Sequence, residues 1–297
     1  MLPNRAELRE VGPRDGLQAE APIPPEERIR LVEALLAAGV VRIELGSFVS
    51  PRAVPSMAGS DEVFAAIPPR PGVTRAALVP NELGARHALA SGCDELTVTV
   101  SVSPGYNERN VRMTVAESVQ QIEAICALAA NASVPTDAVV SCCFGSPYEG
   151  DVAPKAVRAL VDQLTGAGAT RATLADTTGM ATPRRIGEVL DEVGTDVGLH
   201  LHETRGTGLV NLYTGLLAGV RRFDCSVGGL GGSPFATGSA GNVATEEVVA
   251  MLDDLDVATG IDVGKMIEAA LLAEELLGHP VPSRVAHAGS RDRLATG

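Results

Sequence analysis

Eight short runs rich in β-branched and apolar residues recur along the chain, each followed by a helical pattern, and this alternation most constrains the fold. The runs are LREV (Leu8 to Val11), VVRIEL (Val40 to Leu45), VTRAAL (Val73 to Leu78), ELTVTVSV (Glu95 to Val102), AVVSCCF (Ala138 to Phe144), ATRATLA (Ala169 to Ala175), VGLHLH (Val197 to His202) and RFDCSV (Arg222 to Val227). Between them lie stretches such as PPEERIRLVEALLAAG, TVAESVQQIEAICALAANA and APKAVRALVDQLTGAG. Their apolar positions repeat at three- and four-residue spacing, with Gly or Asn at several exits, as amphipathic helices require. Eight strand–helix repeats are the layout of a (β/α)8 TIM barrel, an α/β fold. A doubly wound open sheet satisfies the same alternation, and counting alone does not separate the two. After the last run, VATEEVVAMLDDLD and VGKMIEAALLAEELLG add two C-terminal helices over about residues 243–278. No linker divides the 297 residues, so residues 1–297 are expected to form one domain. The tail from Ser283 is expected to be loosely ordered.

In a barrel of this kind, catalytic groups sit at the carboxyl ends of the strands and in the loops that follow. The unusual polar residues fall there repeatedly. Arg14 and Asp15 follow the first run in EVGPRDGLQ, Glu44 closes the second, Asp176 follows the sixth in LADTTG, and His200 and His202 end the seventh. GGLGGSPFATGSAGNVATEE, with Ser233 and Asn242, follows the eighth. Each has a plain structural explanation by itself: Asp176 caps a turn, or Glu44 pairs with Arg14 or Arg75. Their collection on one rim is harder to dismiss.

His200 and His202 are two of five histidines. On a strand their side chains share one face. Two imidazoles side by side repel if both are protonated, so either they share a metal ion or they are polar residues near a strand end. With Asp15 and Asn242 they offer two nitrogens and two oxygens. Such a mixed set suits octahedral Mg²⁺ or Mn²⁺ and also accepts Co²⁺ or Zn²⁺. The lack of thiolate in the set argues against a structural zinc site.

The formal net charge of −13 argues against a general affinity for nucleic acid or anionic membranes. No segment approaches the ~18 uninterrupted apolar residues of a membrane span. The first residues, MLPNRAELREVGPRDG, lack a secretory layout, and five cysteines without a CxxC pair suit a reducing compartment. A cytoplasmic protein is therefore expected.

Six ordered segments carry a family resemblance: VGPRDGLQ, SFVSPRAVPSM, VSCCFGSPYEG, DTTGMATP, HLHETRG and GGLGGSPFATGSAGNVATEE. Together they resemble the hydroxymethylglutaryl-CoA lyase family of metal-dependent TIM-barrel enzymes related to isopropylmalate synthase. The resemblance implies cleavage of a 3-hydroxy-3-methylglutaryl-CoA-like thioester to acetyl-CoA and a keto acid. It implies Asp15, His200 and His202 as metal ligands, with Asn242 completing or supporting the shell. Arg14 would face the thioester carbonyl, and Glu44 and Asp176 would order the hydrogen bonds near the metal, with Asp176 a proton acceptor. Arg14, Gln18 and Ser146 would contact the acyl-CoA substrate.

Several positions depart from the family. Its glycine-rich loop carries a cysteine where this chain has Ser233, and an alcohol is a far weaker acid than a thiol. Ser146 likewise replaces a cysteine, and the seventh-run motif reads HETRG. A basic segment associated with CoA contact is replaced by GHPVPSRV, leaving Arg284 as its nearest cation. Cys142 and Cys143 are read as barrel packing within the fifth strand. Three functional readings stay open: a lyase of the hydroxymethylglutaryl type, a related lyase or condensing enzyme acting on another acyl-CoA such as citramalyl-CoA, and a metal- and thioester-binding protein of weak turnover. The apolar stripe of VATEEVVAMLDDL serves either packing on the barrel or pairing into a homodimer.

Overall fold

The computed structural model describes residues 2–232 and 241–291. Its strands are β1 (Glu7–Glu10), β2 (Arg42–Ser47), β3 (Thr74–Leu78), β4 (Glu95–Ser101), β5 (Thr136–Ser141), β6 (Arg171–Ala175), β7 (Gly198–His200) and β8 (Arg222–Cys225). Each pairs in parallel with the next, and β8 closes on β1 through a register running from Glu7 opposite Arg222 to Glu10 opposite Cys225. Closure decides against the open sheet.

Helices cover the outside and bury the apolar stripes that their spacing announced. The helix Pro25–Ala37 sinks Leu31, Val32 and Leu35, and Pro154–Gly166 sinks Val157, Leu160 and Leu164. The helix Val115–Asn131 begins with a capping box: Thr114 Oγ1 accepts from the Glu117 N–H, and the Glu117 carboxylate accepts from the Thr114 N–H.

The inside of the barrel is less usual. Aliphatic layers are the norm there, but this barrel holds a network of paired charges. Arg9 on β1 donates to both carboxylate oxygens of Asp224 on β8, at 2.8 and 2.7 Å, and to Asp137 on β5 at 2.7 Å. Thr173 on β6 donates to Asp137 at 3.0 Å, and Arg42 on β2 pairs with Glu95 on β4. All six residues are buried. Buried charges are tolerated only when paired and hydrogen-bonded, and this network meets that condition for Arg9 three times over.

The two C-terminal helices form over Thr245–Asp254 and Val263–Leu277. Beyond them the chain is ordered through Arg284–Ala288, where a loose tail was expected. Ser283 is buried, its hydroxyl accepts from the Ala286 N–H at 3.2 Å, and the cap opens a further helix over Arg284–Ala288. The Arg284 N–H also donates to Glu247 at 2.6 Å, which ties the segment to the helix Thr245–Asp254. A second correction concerns Cys142 and Cys143, which lie just past β5, with Cys142 in a left-handed turn at φ +61°. Both are fully buried, as packing residues are, and burial pushes the Cys142 thiol up to about 12. No helix among the described residues is long and apolar enough to cross a membrane.

Candidate active site

The chain leaves β1 through a tight π-helical turn, Gly12–Gly16, pinned by the Asp15 N–H donating to the Val11 carbonyl at 2.7 Å. The turn places Arg14 and Asp15 at the barrel mouth. Arg14 Nε donates to Glu44 at 2.5 Å, and Arg14 Nη1 donates to Asp15 at 2.7 Å and to Gln18 at 3.5 Å. Glu44, expected to pair with Arg14 or Arg75, thus takes Arg14, while Arg75 donates to Asp94 at 2.8 Å. Burial alone would lower the Arg14 pKa, but Glu44 and Asp15 outweigh it and hold the guanidinium charged.

His200 closes β7, and His202 continues in an antiparallel bridge with Asn242. Their Nε2 atoms face each other at 3.1 Å, and Asp15 Oδ2 stands 3.9 Å from His200 Nε2. One donor atom from each of the three residues lies within 4.8 Å of the others. Burial pushes the Asp15 carboxyl up, yet Arg14, both imidazoles and the Asn242 amide pull it down to about 2.

A divalent cation fits this set on three counts. His200 Nδ1 is 3.0 Å from Asp224 Oδ2, so it carries the proton and leaves the Nε2 lone pair free. Octahedral donors at ~2.1 Å from a cation stand about 3 Å apart when adjacent, close to the Nε2 to Nε2 spacing. Asn242 Oδ1 is buried without a hydrogen-bond partner, while its Nδ2 donates to Asp15 at 2.8 Å. An acceptor left bare beside three convergent donors is one that a bound cation would satisfy. Gly231, at φ +112°, permits the approach: a Cβ there would sit 2.5 Å from Asn242 Nδ2.

Asp176 follows β6. Its Oδ1 accepts from the Ala181 N–H at 2.8 Å, its Oδ2 is buried without a partner, and burial pushes the carboxyl up to about 7. Its neighbours Ala175 and Thr177 line a cavity of about 740 Å³. Arg14, Asp15, Gln18, His200 and His202 line the same cavity. Ser146 does not line it. That side chain is fully buried, 2.9 Å from the Ser103 hydroxyl, and accepts from the Tyr148 N–H, so it braces its own loop. Ser233 lies outside the described residues.

The HMGL-like family model matches residues 5–272. The chain belongs to the HMGL-like family. A 3-hydroxy-3-isohexenylglutaryl-CoA/hydroxymethylglutaryl-CoA lyase of Pseudomonas aeruginosa is 42% identical over 293 residues, covering 97% of this chain and 98% of the relative. An (R)-citramalyl-CoA lyase of Chloroflexus aurantiacus is 39% identical over 296 residues, covering 94% and 93%. The structure of an HMG-CoA lyase from Acinetobacter baumannii in complex with coenzyme A and 3-methylmalate superposes with a TM-score of 0.93 at 38% identity, covering 98% of this chain and 97% of that one.

Within this HMGL-like chain, sequence reasoning missed two residues that serve the site from below. Asp224 accepts from His200 Nδ1, and Arg9 holds Asp224 with two hydrogen bonds. Burial pushes the Asp224 carboxyl up, but Arg9 and His200 overcome it and leave the group well below the ordinary carboxylate range. The available signal was a charged residue in the middle of both LREV and RFDCSV, where an outward-facing position was the simpler reading.

Proposed function

We propose that this chain is a divalent-metal-dependent carbon–carbon lyase that cleaves a 3-hydroxy-3-methylglutaryl-CoA-like thioester to acetyl-CoA and a keto acid. The observation that carries the reading is the convergence of Asp15, His200, His202 and Arg14 on one large cavity. Asp15, His200, His202 and Asn242 would hold the cation, with Mg²⁺ or Mn²⁺ suited to the mixed imidazole and oxygen set and Co²⁺ or Zn²⁺ acceptable. Such a cation lowers the cost of removing the proton from the tertiary C3 hydroxyl.

The remaining steps fall to the protein's own groups. Asp176, buried just behind the cavity wall that its neighbours Ala175 and Thr177 form, with Oδ2 unpartnered and its carboxyl pushed up to about 7 by burial, accepts the C3 hydroxyl proton by way of one intervening water. The C2–C3 bond then breaks, its electron pair moving into a thioester enolate while C3 becomes the ketone carbon. Arg14, fixed by Glu44 and Asp15, meets the enolate oxygen, a contribution typically worth ~3 kcal/mol. Arg14 stays protonated throughout and is an electrostatic partner, never the base. Gln18 lies beside Arg14 in the same wall and contacts the thioester end of the substrate. The enolate carbon takes up a proton to give acetyl-CoA, and with Ser233 in place of a thiol that uptake is slow. Five buried free cysteines fit a cytoplasmic setting.

The test is to follow acetyl-CoA from hydroxymethylglutaryl-CoA and, in parallel, from citramalyl-CoA, with Mn²⁺-loaded protein. Slow, chelator-sensitive cleavage of the former, accelerated by Ser233→Cys, is the expected result. Faster turnover of citramalyl-CoA would move the assignment to the related lyase. No acetyl-CoA from either thioester, with wild type or Ser233→Cys, would reject the lyase reading.

A further inference from the structure

On a regular strand, side chains three positions apart point to opposite faces, yet Glu44 and Ser47 of β2 both serve the barrel mouth. Arg42 and Glu44 keep the alternation: Arg42 pairs with Glu95 inside the barrel, and Glu44 takes Arg14. Continued without a break, it would aim Gly46 inward and Ser47 at the helix layer. The structure has the reverse. A Cβ on Gly46 would stand 2.8 Å from Arg28 Nη2 and 2.5 Å from Ser60 Oγ, both on outer helices, while Ser47 lines the cavity. The change of phase is a β-bulge: Glu44 lies opposite Ala76 and Gly46 opposite Ala77, so Leu45 is the extra residue.

Arg28, on the helix Pro25–Ala37, holds the bulge from behind. Its Nη2 donates to the Leu45 carbonyl and to Ser60 Oγ, each at 3.3 Å, and its Nη1 donates to the Ala58 carbonyl at 2.8 Å. Ser60 opens the helix Ser60–Ala66 and carries the grip onward: its Oγ accepts from the Ser47 N–H at 3.2 Å and donates to the Met57 carbonyl at 2.8 Å. Between those anchors runs the segment that gives the cavity Val49, Val54 and Pro55. Stability alone does not account for this guanidinium. It is fully buried, its Nε has no hydrogen-bond partner, and burial unopposed by any carboxylate pulls its pKa down to about 10. A buried charge without a counter-ion is costly. Bulges beside active sites re-aim a side chain, and the one re-aimed here is the Ser47 hydroxyl, buried without a partner in the cavity wall.

We infer that Arg28 is a positioning residue for the active site: by holding the Leu45 carbonyl and Ser60 it keeps the β2 bulge in place, so that Glu44 grips Arg14 while Ser47 faces the cavity. The placement of Ser47 does not depend on which reaction the cavity performs. Its effect on turnover rests on the lyase reading above.

Arg28→Met and Ser60→Ala test it in the full, Mn²⁺-loaded chain, with Leu35→Ala, buried on the same helix, as the control for lost packing. Crystal structures of the two variants should show Leu45 opposite Ala77 and the Ser47 hydroxyl withdrawn from the cavity. Ser47 unmoved in Arg28→Met, or in Ser60→Ala should Arg28→Met not fold, overturns the inference. In acetyl-CoA release from hydroxymethylglutaryl-CoA, Arg28→Met should lower kcat/KM about tenfold or more. Leu35→Ala should lower the melting temperature and leave kcat/KM within about twofold of wild type. If Arg28 acts through Ser47, Arg28→Met/Ser47→Ala should stay within about twofold of Ser47→Ala alone. Losses that multiply in the double variant, or a loss in Leu35→Ala equal to that in Arg28→Met, overturn it as well. A wild type that releases no acetyl-CoA, with Ser47 displaced in the variants, counts against the lyase reading and leaves the positioning standing.

Discussion

Asp224→Asn isolates what the buried network does for the metal set. Asp224 accepts from His200 Nδ1 at 3.0 Å and from Arg9 at 2.8 and 2.7 Å. Asparagine keeps the shape and removes the charge. It also gives the imidazole a choice, because an amide NH2 turned toward Nδ1 forces the proton onto Nε2, the atom facing His202 and Asp15. Loss of a carboxylate partner behind a histidine ligand typically lowers metal affinity about 10–100-fold, or about 1.4–2.7 kcal/mol. Stability should fall too, since Arg9 loses the Asp224 charge and keeps as ion-pair partners only Asp137 at 2.7 Å and the longer contact to Glu95 at 3.7 Å. Calorimetric titration of metal-free protein with Mn²⁺ measures the affinity directly. Asp137→Asn is the control, because it loosens Arg9 and Thr173 without touching His200. The control should lower the melting temperature and leave Mn²⁺ affinity within about threefold of wild type. If Asp224→Asn binds Mn²⁺ as tightly as wild type, or Asp137→Asn weakens it equally, Asp224 does not position the ligand.

Two predictions concern pH. Asp176 is held up to about 7 by burial, so kcat/KM should rise with pH through about 7 as the carboxyl loses its proton. Asp176→Asn should abolish that limb with most of the rate, and a wild-type profile flat between about pH 6 and about pH 8 would exclude Asp176 as the acceptor. Glu246 is pushed by burial from 4.5 to about 7, against hydrogen bonds from Ser283 and the Gly228 N–H. The folded chain therefore holds this proton more tightly than the unfolded one, so its contribution is complete below 4.5 and lost as pH rises through about 7. Glu246→Gln removes the titration, and its stability relative to wild type should grow across that window by up to about 3 kcal/mol, read from urea midpoints. Parallel curves for the two proteins would refute the assignment.

The fold was legible because eight strand–helix repeats survive in the apolar pattern, and the rim was legible because Asp15, Asp176 and His200 fall at or just after strand ends, while Glu44, read as closing its run, lies in the middle of β2. Closure was not, since the pairing of β8 with β1 joins the two ends of the repeat and leaves no local trace. The period-two spacing of His200 and His202 reached the right pairing by an incomplete route. β7 stops at His200, and His202 is held by its bridge to Asn242, a contact across 40 positions of sequence. Arg9 and Asp224 were hidden for a general reason: a charge in mid-strand reads as solvent-facing unless the barrel interior is known to be polar. Ser146 misled in the opposite direction. Its motif position suggested substrate contact, whereas its hydroxyl is spent on Ser103 and the Tyr148 N–H. Within the tail expected to be loose, Arg284–Ala288 is helical instead, because a single capping serine and one hydrogen bond to Glu247 suffice to order a short helix.

Soaking crystals of the protein in Mn²⁺ and collecting anomalous diffraction addresses the metal centre itself. A single strong peak is predicted among Asp15, His200 Nε2 and His202 Nε2, with Asn242 Oδ1 turned toward it. Clear density for these side chains diverging, and no ion between them at saturating Mn²⁺, would contradict the metal-dependent reading.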